Sequence, residues 1–166
     1  AEVFDLYRER LRVMAARPEA RAVMLFKNRG PRSGASLHHA HAQVLSFPVV
    51  PPGVRRRDVR ARKHHALHGC STLAATRDRV LSEGGRVVER TGRFAVFCPV
   101  APHRSFETWI VPMEPVASLA RVDDLTLAEL APLALRTLRR VLGATGGADY
   151  NLVLRNPALR HWDEPW

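Results

Sequence analysis

Phe26-Lys-Asn-Arg-Gly-Pro-Arg-Ser-Gly-Ala-Ser-Leu-His-His-Ala-His-Ala-Gln43 is the stretch on which the reading of this chain turns. Asn28 to Ser36 holds Gly30, Pro31 and Gly34 and predicts a loop. His39 to Val49 predicts a strand, and strand alternation puts His39, His41 and Gln43 on one face, with His38 on the other. Gly30 and Gly34 allow the loop to turn several backbone N–H groups inward. Asn28 and Ser36 add neutral donors, and Lys27, Arg29 and Arg32 add positive charge. A neutral imidazole beside such a loop is a competent nucleophile towards phosphorus near neutral pH. It needs an acceptor on its second ring nitrogen, so that the attacking nitrogen keeps its lone pair. Gln43 and the loop amides would stabilise the non-bridging oxygens. Two His on one strand face are by themselves more often a metal pair or simple surface residues than a nucleophile.

Outward from this stretch, Phe4, Tyr7, Leu11 and Met14 predict an amphipathic helix over residues 2–17, and Ala22 to Phe26 predicts a buried strand. Pro48, Pro51, Pro52 and Gly53 mark a boundary, dividing the chain into units 1–52 and 53–166. Arg55 to Ser82 reads as helix with a break near Gly69, stopped by Gly84 and Gly85. Arg86 to Arg90, Arg93 to Cys98 and Phe106 to Val111 read as strands, the first two joined at Thr91 and Gly92. Asp123 or Asp124 caps a long helix to about Leu142, and Tyr150 to Leu154 is a last strand. The tail from His161 to Trp166 shows no partner. The closing helix and strand echo the opening pair, which suggests a duplicated α+β unit with an incomplete first copy.

The 166 residues carry 26 Lys plus Arg against 16 Asp plus Glu, a formal charge of +10, with 46% apolar residues. This composition excludes pervasive disorder. No apolar run approaches the roughly 18 residues of a membrane span, and Ala1 to Arg12 is not expected to be a signal peptide. Cys70 and Cys98 make no disulfide framework, so a reducing, cytoplasmic setting is expected. The charge attracts phosphates. Without a basic stripe interleaved with aromatics, or zinc-finger spacing, nucleic acid is not the expected partner. His64 and His68 have i, i+4 metal spacing, but no third ligand follows, and a solvated helix face is expected. Glu107 reads as structural, pairing with a neighbouring Arg. Trp109, Trp162 and Trp166 read as packing or dimer contacts.

The central stretch resembles the active-site segment of galactose-1-phosphate uridylyltransferases, in the histidine-triad superfamily. Their pattern, Phe-x-Asn-x-Gly, then Gly-Ala/Cys-Ser, then His-Pro-His-x-Gln, is met by Phe26, Asn28, Gly30, Gly34, Ala35, Ser36, His39, His41 and Gln43. Phe94 to Pro112 is similar to the family's second-half stretch. The resemblance implies an α+β, histidine-triad-like antiparallel sheet with packed helices. It also implies ping-pong nucleotidyl transfer through a nucleotidyl-histidine on His41. Gln43 would hold phosphoryl oxygens, and Asn28, Gly34, Ala35 and Ser36 would contact the nucleotide. His39 would ligate zinc in members that carry it, with the remaining ligands expected outside this chain. A nucleotide sugar and a sugar 1-phosphate would be the partners, in a homodimer. The alternatives are a phosphorylase of ADP-sugars or dinucleoside polyphosphates using the same His, or a non-catalytic nucleotide-binding module. Ala40 replaces the family's Pro. Leu73 stands where a second Cys would follow Cys70, and Arg57 falls where some relatives carry an iron-binding carboxylate. Family members extend further on both sides, so the chain reads as a fragment lacking both ends.

Overall fold

The computed structural model describes residues 2–35, 37, 39 and 41–164. Ser36, His38, Ala40 and Trp166, singled out above, lie outside the described residues. The chain opens with helix α1 (Glu2–Ala15), whose Tyr7 and Leu11 are buried, as their spacing requires. Strand β1 (Ala22–Arg29) leads through a short 3-10 turn (Pro31–Ser33) to β2 (His41–Phe47). Helices α2 (Pro52–His68) and α3 (Thr72–Glu83) follow. They part at Gly69, whose φ of 68° ends α2 in the left-handed region that favours glycine. A meander of β3 (Val87–Arg90), β4 (Phe94–Phe97) and β5 (Trp109–Pro112) precedes helix α4 (Asp124–Ala144) and strand β6 (Tyr150–Leu154). Asp123 caps α4 by accepting from the Thr126 amide at 2.6 Å.

The strands form two antiparallel sheets, ordered β2-β1-β6 and β3-β4-β5. This is the expected α+β architecture of antiparallel sheet with packed helices. The last strand pairs with the first, and Val23 and Leu25 of β1 share a core with Phe94 and Val96 of β4. The turn at residues 48–53 is therefore a linker in sequence but not a gap between cores. Strand β4 joins the two cores by its period of two: Phe94 and Val96 face Leu11, Leu127 and Leu133, while Ala95 and Phe97 face Val80 and Val111.

Several boundaries depart from the sequence expectation, three of them at β1, β2 and β5. Strand β1 runs on through Asn28 and Arg29, because both neighbours pair with Asn28 and supply its backbone partners. Strand β2 begins at His41, where that pairing begins, and not at His39. Strand β5 begins only at Trp109, since Phe106 takes a φ of 63°, incompatible with a strand. The tail also finds partners. Trp162 is buried in the first core and donates from Nε1 to the Pro157 carbonyl at 3.2 Å, and Arg121 pairs with Asp163.

Two polar residues tie the meander together. Arg77 of α3 is buried and donates to the Pro112 carbonyl at 2.7 Å and to that of Met113 at the end of β5. Glu107 takes the Trp109 indole N–H at 2.8 Å and the His103 amide at 2.7 Å, so these partners hold it, and no Arg among the described residues forms an ion pair with it. Burial pushes the Glu107 carboxyl up. The indole, the His103 amide and nearby positive charge outweigh this and hold it below its ordinary value of 4.5.

Arg77→Met strands two carbonyls and should lower unfolding free energy by roughly 2–3 kcal/mol. Urea denaturation reads this, and an unchanged midpoint would contradict it. Glu107→Gln should cost stability at pH 7. A carboxyl depressed in the fold stabilises above its unfolded value, so the deficit should shrink as pH falls below 4.5. Thermal melts of both proteins across that range measure it, and a deficit independent of pH would refute the assignment.

Candidate functional site

The candidate site is the face of the β2-β1-β6 sheet turned away from the core. Directly opposed residues in antiparallel strands share a face. His41 opposes Asn28, and Asn28 opposes Asn151 on β6, so one row of three polar side chains crosses the sheet. The next row on this face is Gln43, Phe26 and Val153. Beyond it lie Leu45 and Met24. The opposite face carries Val23, Leu25, Ala42, Val44 and Leu154 into the first core. His41, Gln43, Asn28 and Phe26 are half-buried, while Asn151 and Val153 are exposed.

His41 has the acceptor that its chemistry requires. Its Nδ1 lies 3.2 Å from the His39 carbonyl oxygen. A carbonyl only accepts, so Nδ1 carries the proton and the neutral ring presents its lone pair at Nε2. His39 itself sits exposed on a bend before β2, its ring centroid 6.0 Å from that of His41. Zinc needs three or four ligands. Among the described residues no group of three or more His, Cys, Asp or Glu converges on one point. These residues do not fit zinc at His39 by themselves. The His64 and His68 rings lie tilted to one another with centroids 4.5 Å apart, and His64 Nδ1 contacts the Cys70 carbonyl at 3.1 Å.

The glycine turn is not the amide cradle that its composition suggests. The Ser33 and Ala35 amides donate to the Gly30 carbonyl, and the Gly34 amide donates to that of Pro31. The Arg32 amide donates to the Asp149 carboxylate at 2.7 Å. The loop is thus closed on itself and on Asp149, with Gly34 at a φ of 79°. Lys27 and Arg29 alternate away from the His41 face, and Arg29 donates to the Gly147 carbonyl at 3.3 Å. The positive charge expected from Lys27 and Arg29 beside the imidazole is therefore directed elsewhere. Two surface clefts of about 490 and 410 Å³ lie apart from this face, one along α1 at Leu6 and Arg8, the other against α2 at Val59 and Arg62.

Sequence reasoning brought His41, Gln43, Asn28, Gly34 and Ala35 to one region, and missed Asn151 and Asp149. Both lie more than a hundred residues beyond Asn28 in the chain, and only strand register brings them there. The sole sequence signal is a polar Asn within an otherwise apolar last strand.

Residues 4–50 match the family described as Domain of unknown function (DUF4931) N-terminal domain. An ADP-glucose phosphorylase of Arabidopsis thaliana is 24% identical over 96% of this chain and 44% of its own length. A galactose-1-phosphate uridylyltransferase of Streptomyces lividans is 28% identical over 83% of this chain and 39% of its own. A solved structure of a uridylyltransferase mutant superposes with a TM-score of 0.89 at 25% identity, over 99% of this chain and 54% of that one. The chain spans about half the length of the relatives it matches. With the motif and the antiparallel sheet in agreement, the chain is similar to galactose-1-phosphate uridylyltransferases and to an ADP-glucose phosphorylase over part of their length, and it shares the fold of a solved uridylyltransferase.

Proposed function

We propose that the protein carrying this chain transfers a nucleoside monophosphate from a nucleotide sugar, with His41 as nucleophile. Nε2 attacks the phosphorus that bears the nucleoside. An N–P bond forms, and the P–O bond to the sugar 1-phosphate breaks, its electrons leaving on the phosphate oxygen. The His39 carbonyl keeps its hold on Nδ1–H while the ring becomes positively charged. Gln43 and Asn28 donate to the non-bridging oxygens, which gain charge at the transition state. Gly34, Ala35 and Ser36 contact the nucleotide. In the return step a phosphate oxygen of a second sugar 1-phosphate attacks the same phosphorus, and Nε2 departs with its electron pair. No proton changes hands, and no step runs through a metal. The observation that carries this reading is the 3.2 Å contact of His41 Nδ1 with a carbonyl, on an open face beside Asn28 and Gln43.

A second reading shares the first half-reaction and takes inorganic phosphate as the acceptor, releasing a nucleoside diphosphate. The breadth of the alignment favours it, since the ADP-glucose phosphorylase aligns over 96% of this chain and the uridylyltransferase over 83%.

Intact mass spectrometry of the full-length protein, incubated with UDP-glucose or ADP-glucose, tests both. Either nucleotidyl adduct supports the shared first half-reaction; its discharge by glucose 1-phosphate supports the first reading, and its discharge by inorganic phosphate the second. His41→Ala should abolish either, and Gln43→Ala should slow adduct formation on the order of a hundredfold. Binding of nucleotide sugar with no adduct, identical in wild type and His41→Ala, would overturn both and leave a non-catalytic binding module.

A further inference from the structure

We propose that β6 supplies a substrate-binding residue, Asn151, which contacts the polyhydroxyl ring of the nucleotide sugar and is held in register by a clasp between Asp149 and the Gly30 turn. This rests on the reading of His41 given above.

Asn151 is the outer member of the row that begins at His41, with Asn28 between them. Neighbouring side chains in such a row stand roughly 5 Å apart at Cβ. A ligand whose phosphorus sits at His41 therefore has a ring within reach of Asn151 at the other end. The Asn151 side chain is exposed. A side-chain amide both donates and accepts, which suits vicinal hydroxyls better than phosphate oxygens, which only accept.

The placement of Asn151 depends on register, because a slip of one residue would turn it to the core face. The clasp sets that register. Gly30 has a φ of 88°, and a Cβ built there would stand 1.9 Å from Asp149 Oδ1. The Asp149 carboxylate thus lies flat on the bare Gly30 Cα and accepts from the Arg32 amide at 2.7 Å. Arg29 adds a bond to the Gly147 carbonyl just upstream. Asp149 stands two residues before Asn151, so the clasp fixes the start of β6 against the end of β1. Asp149 is a positioning residue in this account, and Asn151 the contact.

Calorimetry on the full-length protein with UDP-glucose, ADP-glucose and the corresponding nucleoside monophosphates tests both parts. Asn151→Ala should weaken nucleotide-sugar binding about five- to tenfold, and Asn151→Asp less, since an acceptor remains. If the monophosphate weakens equally, the ring is the ribose; if only the nucleotide sugar weakens, it is the hexose. Asp149→Ala should reproduce the Asn151→Ala loss, while Asp149→Asn, whose side-chain oxygen still accepts from the Arg32 amide, should restore binding. A merely structural Asp149 would lower the melting temperature in Asp149→Ala and leave affinity unchanged. Unaltered affinity in Asn151→Ala, with wild type binding normally, overturns this proposal alone. Failure of the wild-type protein to bind any nucleotide sugar overturns the proposed function with it.

Discussion

Everything at this sheet depends on the register of β1 between β2 and β6. The strand has two unlike faces. Val23 and Leu25 are almost wholly withdrawn from water, while Phe26 and Asn28 stand on the open side. Burying Leu25 fixes which residues are left outside, because a strand that turned Asn28 inward would also turn Leu25 outward. The core thus determines the site. The same burial that stabilises the sheet puts His41, Asn28 and Asn151 in line on the face that remains.

The glycine turn plays a different part from the one its composition suggests. Gly30 and Gly34 are present because the backbone enters the left-handed region there, and at Gly30 because a carboxylate lies against its Cα. The amides released by this geometry are taken by the loop's own carbonyls and by Asp149. In the proposed reaction, charge stabilisation therefore falls to side chains, chiefly Gln43 and Asn28. The +10 charge of the chain contributes through its general field, since Lys27 and Arg29 project from the other side of the sheet.

Much of the fold was legible in local spacing. The apolar period of α1, the break at Gly69 and the Asp123 cap depend only on neighbours a turn away. The elements that escaped local reading depend on distant partners. Asn28 sits among turn formers, yet it is strand because β6 pairs with it from the far end of the chain. Trp162 has no periodic context, yet it fills the first core beside Leu159. The region of the site was legible because its residues fall within one short stretch. Its proposed outer edge was not, since only tertiary register brings Asp149 and Asn151 beside Gly30 and Asn28.

The central claim is that His41 holds its proton at Nδ1 and presents a lone pair at Nε2. Long-range proton–nitrogen correlation spectra of the neutral imidazole measure this directly, with the His41 signal assigned by comparison with His41→Ala. The account predicts a protonated Nδ1 and a pyridine-like Nε2. A ring protonated at Nε2, the commoner form of free histidine, would contradict it.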